Sequence, residues 1–289
     1  FSWKLAIKRH NFKTQLKKKN ILVLYRSLGI EDFSYFKERD KKKFSMFVLP
    51  RRQVKAIFGV FFGNRNNHPL RDNNYVSNNQ TIENKKKIYR IFLEKTLKNL
   101  NLKYNFKTII GFNFQFYAER ELHYAATKNK IKFVCLHKES LIFPGELNYY
   151  IKMLKKLGKY QGEKILVYNE YIKKAVLASK FVNPKKIRTI GMPRADYYYN
   201  LKFNKKKKNK KNYFLVLMIN TKRGIFFIKN VDYIKKNFKL NFKDIIWDKL
   251  SKSMIKNILE FAKKNQDVEF IFKIKSPITS EKDLKDLGL

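Results

Sequence analysis

The chain has 289 residues, enough for two domains of ordinary size, and its 44% hydrophobic content excludes a disordered polyelectrolyte. With 66 Lys and Arg against 23 Asp and Glu, the formal charge is +43, which favours anionic ligands such as nucleotides, and anionic lipid headgroups. Lysine is spread along nearly every segment beside abundant Asn, Ile, Phe and Tyr, the pattern an AT-rich genome produces, so the charge by itself does not select nucleic acid as a partner.

In chain order, residues 21–25 form a short apolar run of strand formers, followed by a strand-end loop at Arg26-Ser27-Leu28-Gly29. Residues 44–49 are a second strand, stopped by Pro50. Residues 53–62 are apolar and suit a helix or another strand. The Asn-rich stretch 64–84 reads as a long polar loop, and residues 88–100 as a helix with Ile88, Ile91, Phe92 and Leu97 at helical spacing. From there the pattern turns regular. Strands are expected at 108–112, 131–136, 164–168 and 187–190, and helices at 117–128, 147–157 and 170–179. Strands alternating with helices of this length imply parallel βαβ units, whose functional residues gather at the carboxyl ends of the strands.

Next comes Gly191-Met192-Pro193-Arg194-Ala195-Asp196, then a lysine-rich tract at 205–211 with the composition of a solvated linker. A new strand opens at 213–219, residues 242–264 contain a helix with Ile245, Ile246, Leu250, Met254, Ile258 and Phe261 on its apolar face, and 268–274 is another strand. The expected organisation is an α/β domain over 1–200, a Lys-rich hinge over 201–212 and a second, partial α/β domain over 213–289. The chain opens on Phe1 rather than Met and stops soon after an apolar strand, so a piece of a longer protein, with its second domain incomplete, is expected. In two-domain α/β proteins ligands usually bind in the cleft between domains.

That layout places the chemistry-bearing residues. His137 ends the strand Phe133-Val134-Cys135-Leu136, where an imidazole can take a proton from an acceptor hydroxyl near neutral pH. A surface histidine with no such role is the competing reading. Lys138 and Glu139 come next and are candidate substrate contacts. Glu119 and Arg120 fall at a helix start after a strand. There Glu119 either caps the helix, which the helix dipole favours, or serves acceptor recognition or general-base work, or orients His137, and Arg120 is a candidate substrate contact. In the 191–196 segment Gly191 allows a tight turn and Pro193 stiffens it. Arg194 offers a fork suited to phosphate or carboxylate, and Asp196 is placed to hold Arg194 or to cap the next segment. Lys222 and Arg223 are candidates to line the cleft, and Lys273 and Lys275 either meet donor phosphates or form a solvated strand edge.

Cys135 is the single cysteine, so no internal disulfide or cysteine-built metal site is possible, and no His pair has metal-ligand spacing. There is no Walker A loop and no G-x-G-x-x-G, so neither ATPase nor dehydrogenase chemistry is expected, and no cofactor is implied. No apolar run approaches the ~18 residues needed to cross a bilayer. The expected setting is the cytoplasm, with peripheral contact to the inner face of the cell membrane.

The order of strand-borne His137, the segment Lys164-Ile165-Leu166-Val167-Tyr168-Asn169-Glu170-Tyr171, a helix, and Ile190-Gly191-Met192-Pro193-Arg194-Ala195-Asp196 resembles bacterial surface-polysaccharide biosynthesis proteins of the GT-B type. CDP-glycerol glycerophosphotransferases are similar. The resemblance covers residues 108–223 best. It implies two Rossmann-like domains, a nucleotide-sugar or CDP-alcohol donor in the C-terminal one, a glycan or lipid-linked acceptor in the N-terminal one, and His137 as base. Lys138 departs from the pattern, which often has glycine there. A nucleotide-sugar epimerase of the same architecture and a basic nucleic-acid-binding protein are the alternatives. The second is disfavoured because most aromatic residues fall in apolar periodic runs rather than beside the lysines.

Overall fold

The computed structural model describes residues 8–9, 19–26, 29–30, 32–33, 43–138, 144–196, 199, 212–218 and 247–274. The chain divides into two compact units, residues 1–204 and 205–289.

In the first unit, strands β1 (Lys8–Arg9), β2 (Lys19–Tyr25), β3 (Phe44–Pro50), β4 (Phe106–Gly111), β5 (Lys132–Leu136), β6 (Lys164–Val167) and β7 (Ile187–Thr189) form one sheet. Its spatial order is β1-β3-β2-β4-β5-β6-β7. All neighbours pair in parallel except β1, which runs antiparallel to β3. The helices are α1 (Arg51–Phe62), α2 (Gln80–Tyr104), α3 (Arg120–Lys128), α4 (Leu147–Lys155) and α5 (Glu170–Ala178).

Strand alternation decides the two faces. Leu22, Leu24, Phe47, Leu49, Ile109, Phe133 and Cys135 point into the large core that α1 to α5 cover, while Val23, Met46, Val48, Ile110 and Leu136 point into a smaller one. The smaller core is met by Ile30 and Phe33, from a helical stretch after β2. From β2 the chain steps outward to β3 on one side, then crosses back and proceeds through β4 to β7 on the other. With a constant crossover hand, that reversal puts the β2–β3 connection on the opposite face from the later helices. The strand order therefore reverses between β2 and β4. This is a doubly wound, Rossmann-like sheet, and its switch point lies at the carboxyl ends of β2 and β4.

From β2 onward the expected strands and helices are found in order, but β1 was not expected, part of the loop expected over 64–84 is helical, and the faces of two helices differ from expectation. The helix expected over 88–100 is the 25-residue α2, which starts at Gln80 because the Asn79 side chain accepts the Ile82 N–H at 3.2 Å. Its buried face carries Ile82, Tyr89, Leu93, Leu97 and Leu100, whereas Ile88 and Ile91 are exposed. Lys86 is buried on that face because its ammonium reaches Glu83 at 2.6 Å and the Tyr75 carbonyl. The segment after β4 is a single 3-10 turn, Tyr117–Glu119, before α3 begins at Arg120.

In the second unit, β8 (Asn212–Met218) and β9 (Val268–Ile274) pair in parallel, with α6 (Trp247–Lys264) between them in sequence. In α6 Ile255 is buried, and Met254 and Phe261 are exposed. Residues 201–211 and the predicted apolar positions Ile245 and Ile246 lie outside the described residues.

Candidate active site

Three carboxyl ends converge at the switch point. Arg26 directly follows β2, Arg51 opens α1 directly after β3, and Phe116 lies five residues beyond β4. The Arg51 guanidinium sits 3.8 Å from the Phe116 ring centroid, and the Arg26 guanidinium lies 6.0 Å from it. At the shorter distance the cation meets the electron-rich ring face, which orients Arg51 without neutralising it. Neither arginine was singled out from the sequence. The available signal was position alone, since each is the first residue after an apolar strand.

Glu119 belongs to the same edge. It occupies the residue before α3, yet its side chain makes no capping hydrogen bond, so the helix-cap explanation fails. Its carboxyl group is buried instead, and Oε2 has no hydrogen-bond partner among the described residues. Gly111, the last residue of β4, makes the space for it. A Cβ on Gly111 would lie 3.2 Å from Glu119 Oε2 and 2.9 Å from the Phe133 ring. Burial pushes the Glu119 carboxyl up to about 8, against an opposing pull from Arg26 and Arg51, and Asp72 adds to the upward shift. A carboxyl held near that value exchanges a proton close to neutral pH, in a site already lined by cations.

His137 follows β5 as expected, and its backbone N–H donates to the Leu166 carbonyl at 2.8 Å. Its ring is fully buried, 4.2 Å from that of Phe114 by centroids, rather than open at the sheet edge. The strand end was legible, but not the aromatic lid that the β4–α3 connection lays over it. Lys138 is half-buried and its backbone N–H donates to the Phe112 carbonyl at 3.2 Å, tying the ends of β4 and β5. Glu139 lies outside the described residues.

Arg120 is structural. It is buried, and its guanidinium donates to the carbonyls of Phe114, Leu157, Gly158 and Lys159 at 2.8–3.3 Å. With Nη1 and Nη2 turned inward to four carbonyls, it clamps the loop after α4. Two residues after Glu119, Glu121 accepts from the Tyr75 hydroxyl at 2.7 Å and from Arg90 at 2.6 Å. This fixes the loop that carries Arg71 to Tyr75 against α2 and α3.

The 191–196 segment makes a turn with Gly191 at φ +75°, a left-handed backbone that favours glycine. Arg194 is held by Asp32, not by Asp196. Asp32 is fully buried after β2, and its carboxylate accepts from Arg194 Nη1 at 3.2 Å, from the Arg194 backbone N–H at 3.3 Å, and from the Tyr168 hydroxyl. Asp196 is exposed. A partner 162 residues away leaves no local signature, which is why the nearer aspartate looked sufficient. Among the remaining candidates, Lys273 is exposed on β9, and Lys222, Arg223 and Lys275 lie outside the described residues.

His68, which the sequence places in a polar segment, is buried among Phe58, Phe62 and Tyr117. His123 packs against Phe133 and is kept neutral by burial. Cys135 is reduced and buried. Among the described residues no group of His, Cys, Asp and Glu could hold a metal ion, and no helix is long and apolar enough to cross a membrane.

Fold and site together define a doubly wound α/β protein with a cationic, carboxyl-bearing switch point. No protein-family model matches the sequence, and no curated protein matches it. Among solved structures the chain is similar to the UDP-N-acetylglucosamine 2-epimerase of Rickettsia bellii, at TM-score 0.45 and 12% identity over 93% of this chain and 65% of that one. It is also similar to the UDP-GlcNAc 2-epimerase of Neisseria meningitidis bound to UDP-GlcNAc, at 0.43 and 13% over 93% and 69%. A glycosyltransferase of Rickettsia africae gives 0.41 and 15% over 89% and 68%. The chain thus spans about two thirds of the length of the structures it is similar to.

Proposed function

We propose that the chain belongs to a GT-B-type enzyme that uses a nucleotide-activated donor, transferring a sugar or glycerophosphate group to a glycan or lipid-linked acceptor. The carrying observation is Glu119, a buried carboxyl with one unpartnered oxygen and a raised pKa, placed beside Arg26 and Arg51 at the switch point of a doubly wound sheet. Ligands of such sheets bind outside the strand carboxyl ends. The strand-borne His137 and the Gly191 to Asp196 turn support the same reading, as the segments that resemble surface-polysaccharide enzymes.

In this scheme the first unit handles the acceptor and Glu119 removes the proton from its attacking hydroxyl. A base with a pKa near 8 combines useful basicity with a workable ionised fraction at neutral pH. Arg26 and Arg51 favour the ionised carboxylate that accepts this proton. His137 packs beneath the edge and supports the β4–α3 connection through Phe114. The Asp32–Arg194–Tyr168 contacts fix the turn by which the chain leaves the first unit. The donor is assigned to the second unit, where the described β8, α6 and β9 succeed one another as a parallel βαβ unit.

The test is nucleotide release from UDP- and CDP-activated donors by the complete protein, with and without an oligosaccharide acceptor. Acceptor-dependent release supports transfer. Release accompanied by an epimerised sugar in the absence of acceptor would replace transfer by epimerisation. No turnover of any such donor would refute the proposal.

A further inference from the structure

We propose that the pocket lined by Arg51, Lys55 and Arg71 is an anion site that holds a phosphate carried by the acceptor glycan. This rests on the acceptor role given above to the first unit, and it names the acceptor's chemistry. The pocket measures about 390 Å³ and is also bounded by Asp72, Asn73, Gln115, Phe116 and Tyr117. That volume lies within the range of small-molecule sites.

Three features make it more than one basic patch on a basic protein. Its arginines are held in place. Arg51 stacks on Phe116, and Arg71 Nη1 donates to the carbonyls of His68 and Leu70, both at 2.7 Å. That contact fixes one end of the Arg71 fork and leaves Nε and Nη2 without a protein acceptor among the described residues. Such a fork suits two oxygens of one phosphate. Lys55 likewise has no acidic partner among the described residues, so its charge is available to a ligand. The one carboxylate in the lining, Asp72, accepts the Tyr117 N–H at 3.1 Å.

The ligand has room to continue. A second cavity of about 490 Å³ shares Asn73 with the first and is lined by Lys152, Lys155 and Lys156 beside Tyr149 and Met153. Cations recur along that wall, and Tyr149 offers an exposed ring on which a sugar can stack. The pair of cavities fits an extended saccharide with phosphate at the arginine end.

The experiment is titration calorimetry of the protein with maltotriose 6-phosphate, with maltotriose, and with phosphatidylglycerol vesicles, no donor being present. Wild type, K55Q, K55Q/R71Q and a charge-matched control, K95Q/K98Q on the exposed side of α2, are compared. K55Q/R71Q should weaken the phosphorylated trisaccharide at least tenfold, K55Q about threefold, and the control less than twofold, while maltotriose binds far more weakly than its phosphate. K55Q changes an exposed side chain, so it reports even if the double variant is poorly folded. Equal losses in K55Q/R71Q and K95Q/K98Q would show diffuse charge and overturn the proposal. So would maltotriose binding as tightly as its phosphate, or a tenfold loss confined to vesicles, which would assign a lipid headgroup. Because no donor is used, failed turnover with intact binding refutes the enzymatic proposal alone, and turnover without phosphate-dependent binding refutes this one alone.

Discussion

Replacing Glu119 by Gln should make the protein more stable, and increasingly so as pH rises. Glu119 is ordinarily a group of pKa 4.5 and is pushed to about 8 in the folded chain. Between those values the folded state keeps a proton that the unfolded state has lost. Stability therefore falls as pH rises, by about 1.4 kcal/mol per unit for one proton. The contribution is fully present below pH 4.5 and is lost on passing through pH 8, so the ceiling is roughly 5 kcal/mol. Gln has the shape of the neutral acid and no such titration. Urea unfolding of wild type and E119Q at pH 5, 6, 7 and 8 measures the difference directly, and the common effect of the +43 charge cancels between the two proteins. The E119Q advantage should be small at pH 5 and should grow by about 1 kcal/mol or more per unit up to pH 8. A difference that stays flat from pH 5 to 8 would refute the assignment of a buried, protonated Glu119.

Asp32→Asn removes the charge that faces Arg194 and replaces one of the two oxygens shared by Arg194 and the Tyr168 hydroxyl with an amide donor, and should cost about 3 kcal/mol in chemical denaturation, as broken buried ion pairs do. Asp196→Asn, at an exposed position, should lie within about 0.5 kcal/mol of wild type. Arg120→Met leaves four loop carbonyls without their donor and should lower stability by about 4 kcal/mol. Limited proteolysis after α4 should report the freed loop. Gly191→Ala meets no atom within 4 Å, so its penalty is the left-handed backbone alone, about 1 kcal/mol by thermal melting.

Strands β2 to β7 were legible because each falls in a short apolar run with clear breakers, whereas β1 is the charged pair Lys8–Arg9, and β9 falls at residues 268–274 as expected. The α/β class comes from their alternation with helices. Helix faces were less legible, because an Asn at position 79 that caps α2 looks, in a sequence, like more of the polar loop around it. In α2 the buried face includes a lysine, satisfied by Glu83 and the Tyr75 carbonyl, at a position before the expected helix. The site divides in the same way. His137, Glu119 and Arg194 were visible as residue types at strand ends and turns. Whether His137, Arg120 and Arg194 turn inward or outward depends on partners distant in the sequence: Phe114 for His137, the loop at 157–159 for Arg120, and Asp32 for Arg194. Arg26 and Arg51 had no motif around them. Only the strand order, which reverses between β2 and β4, makes them neighbours of one crevice.

The central claim is that Glu119 carries the proton in a nucleotide-dependent transfer, and the pH dependence of that reaction in wild type and E119Q tests it most directly. Once an active donor and acceptor pair is identified for the complete protein, kcat/KM in wild type should rise with pH and level off near 8. In E119Q it should fall by ~100-fold or more and lose that dependence. An E119Q protein that keeps both the wild-type rate and its pH profile would contradict the account.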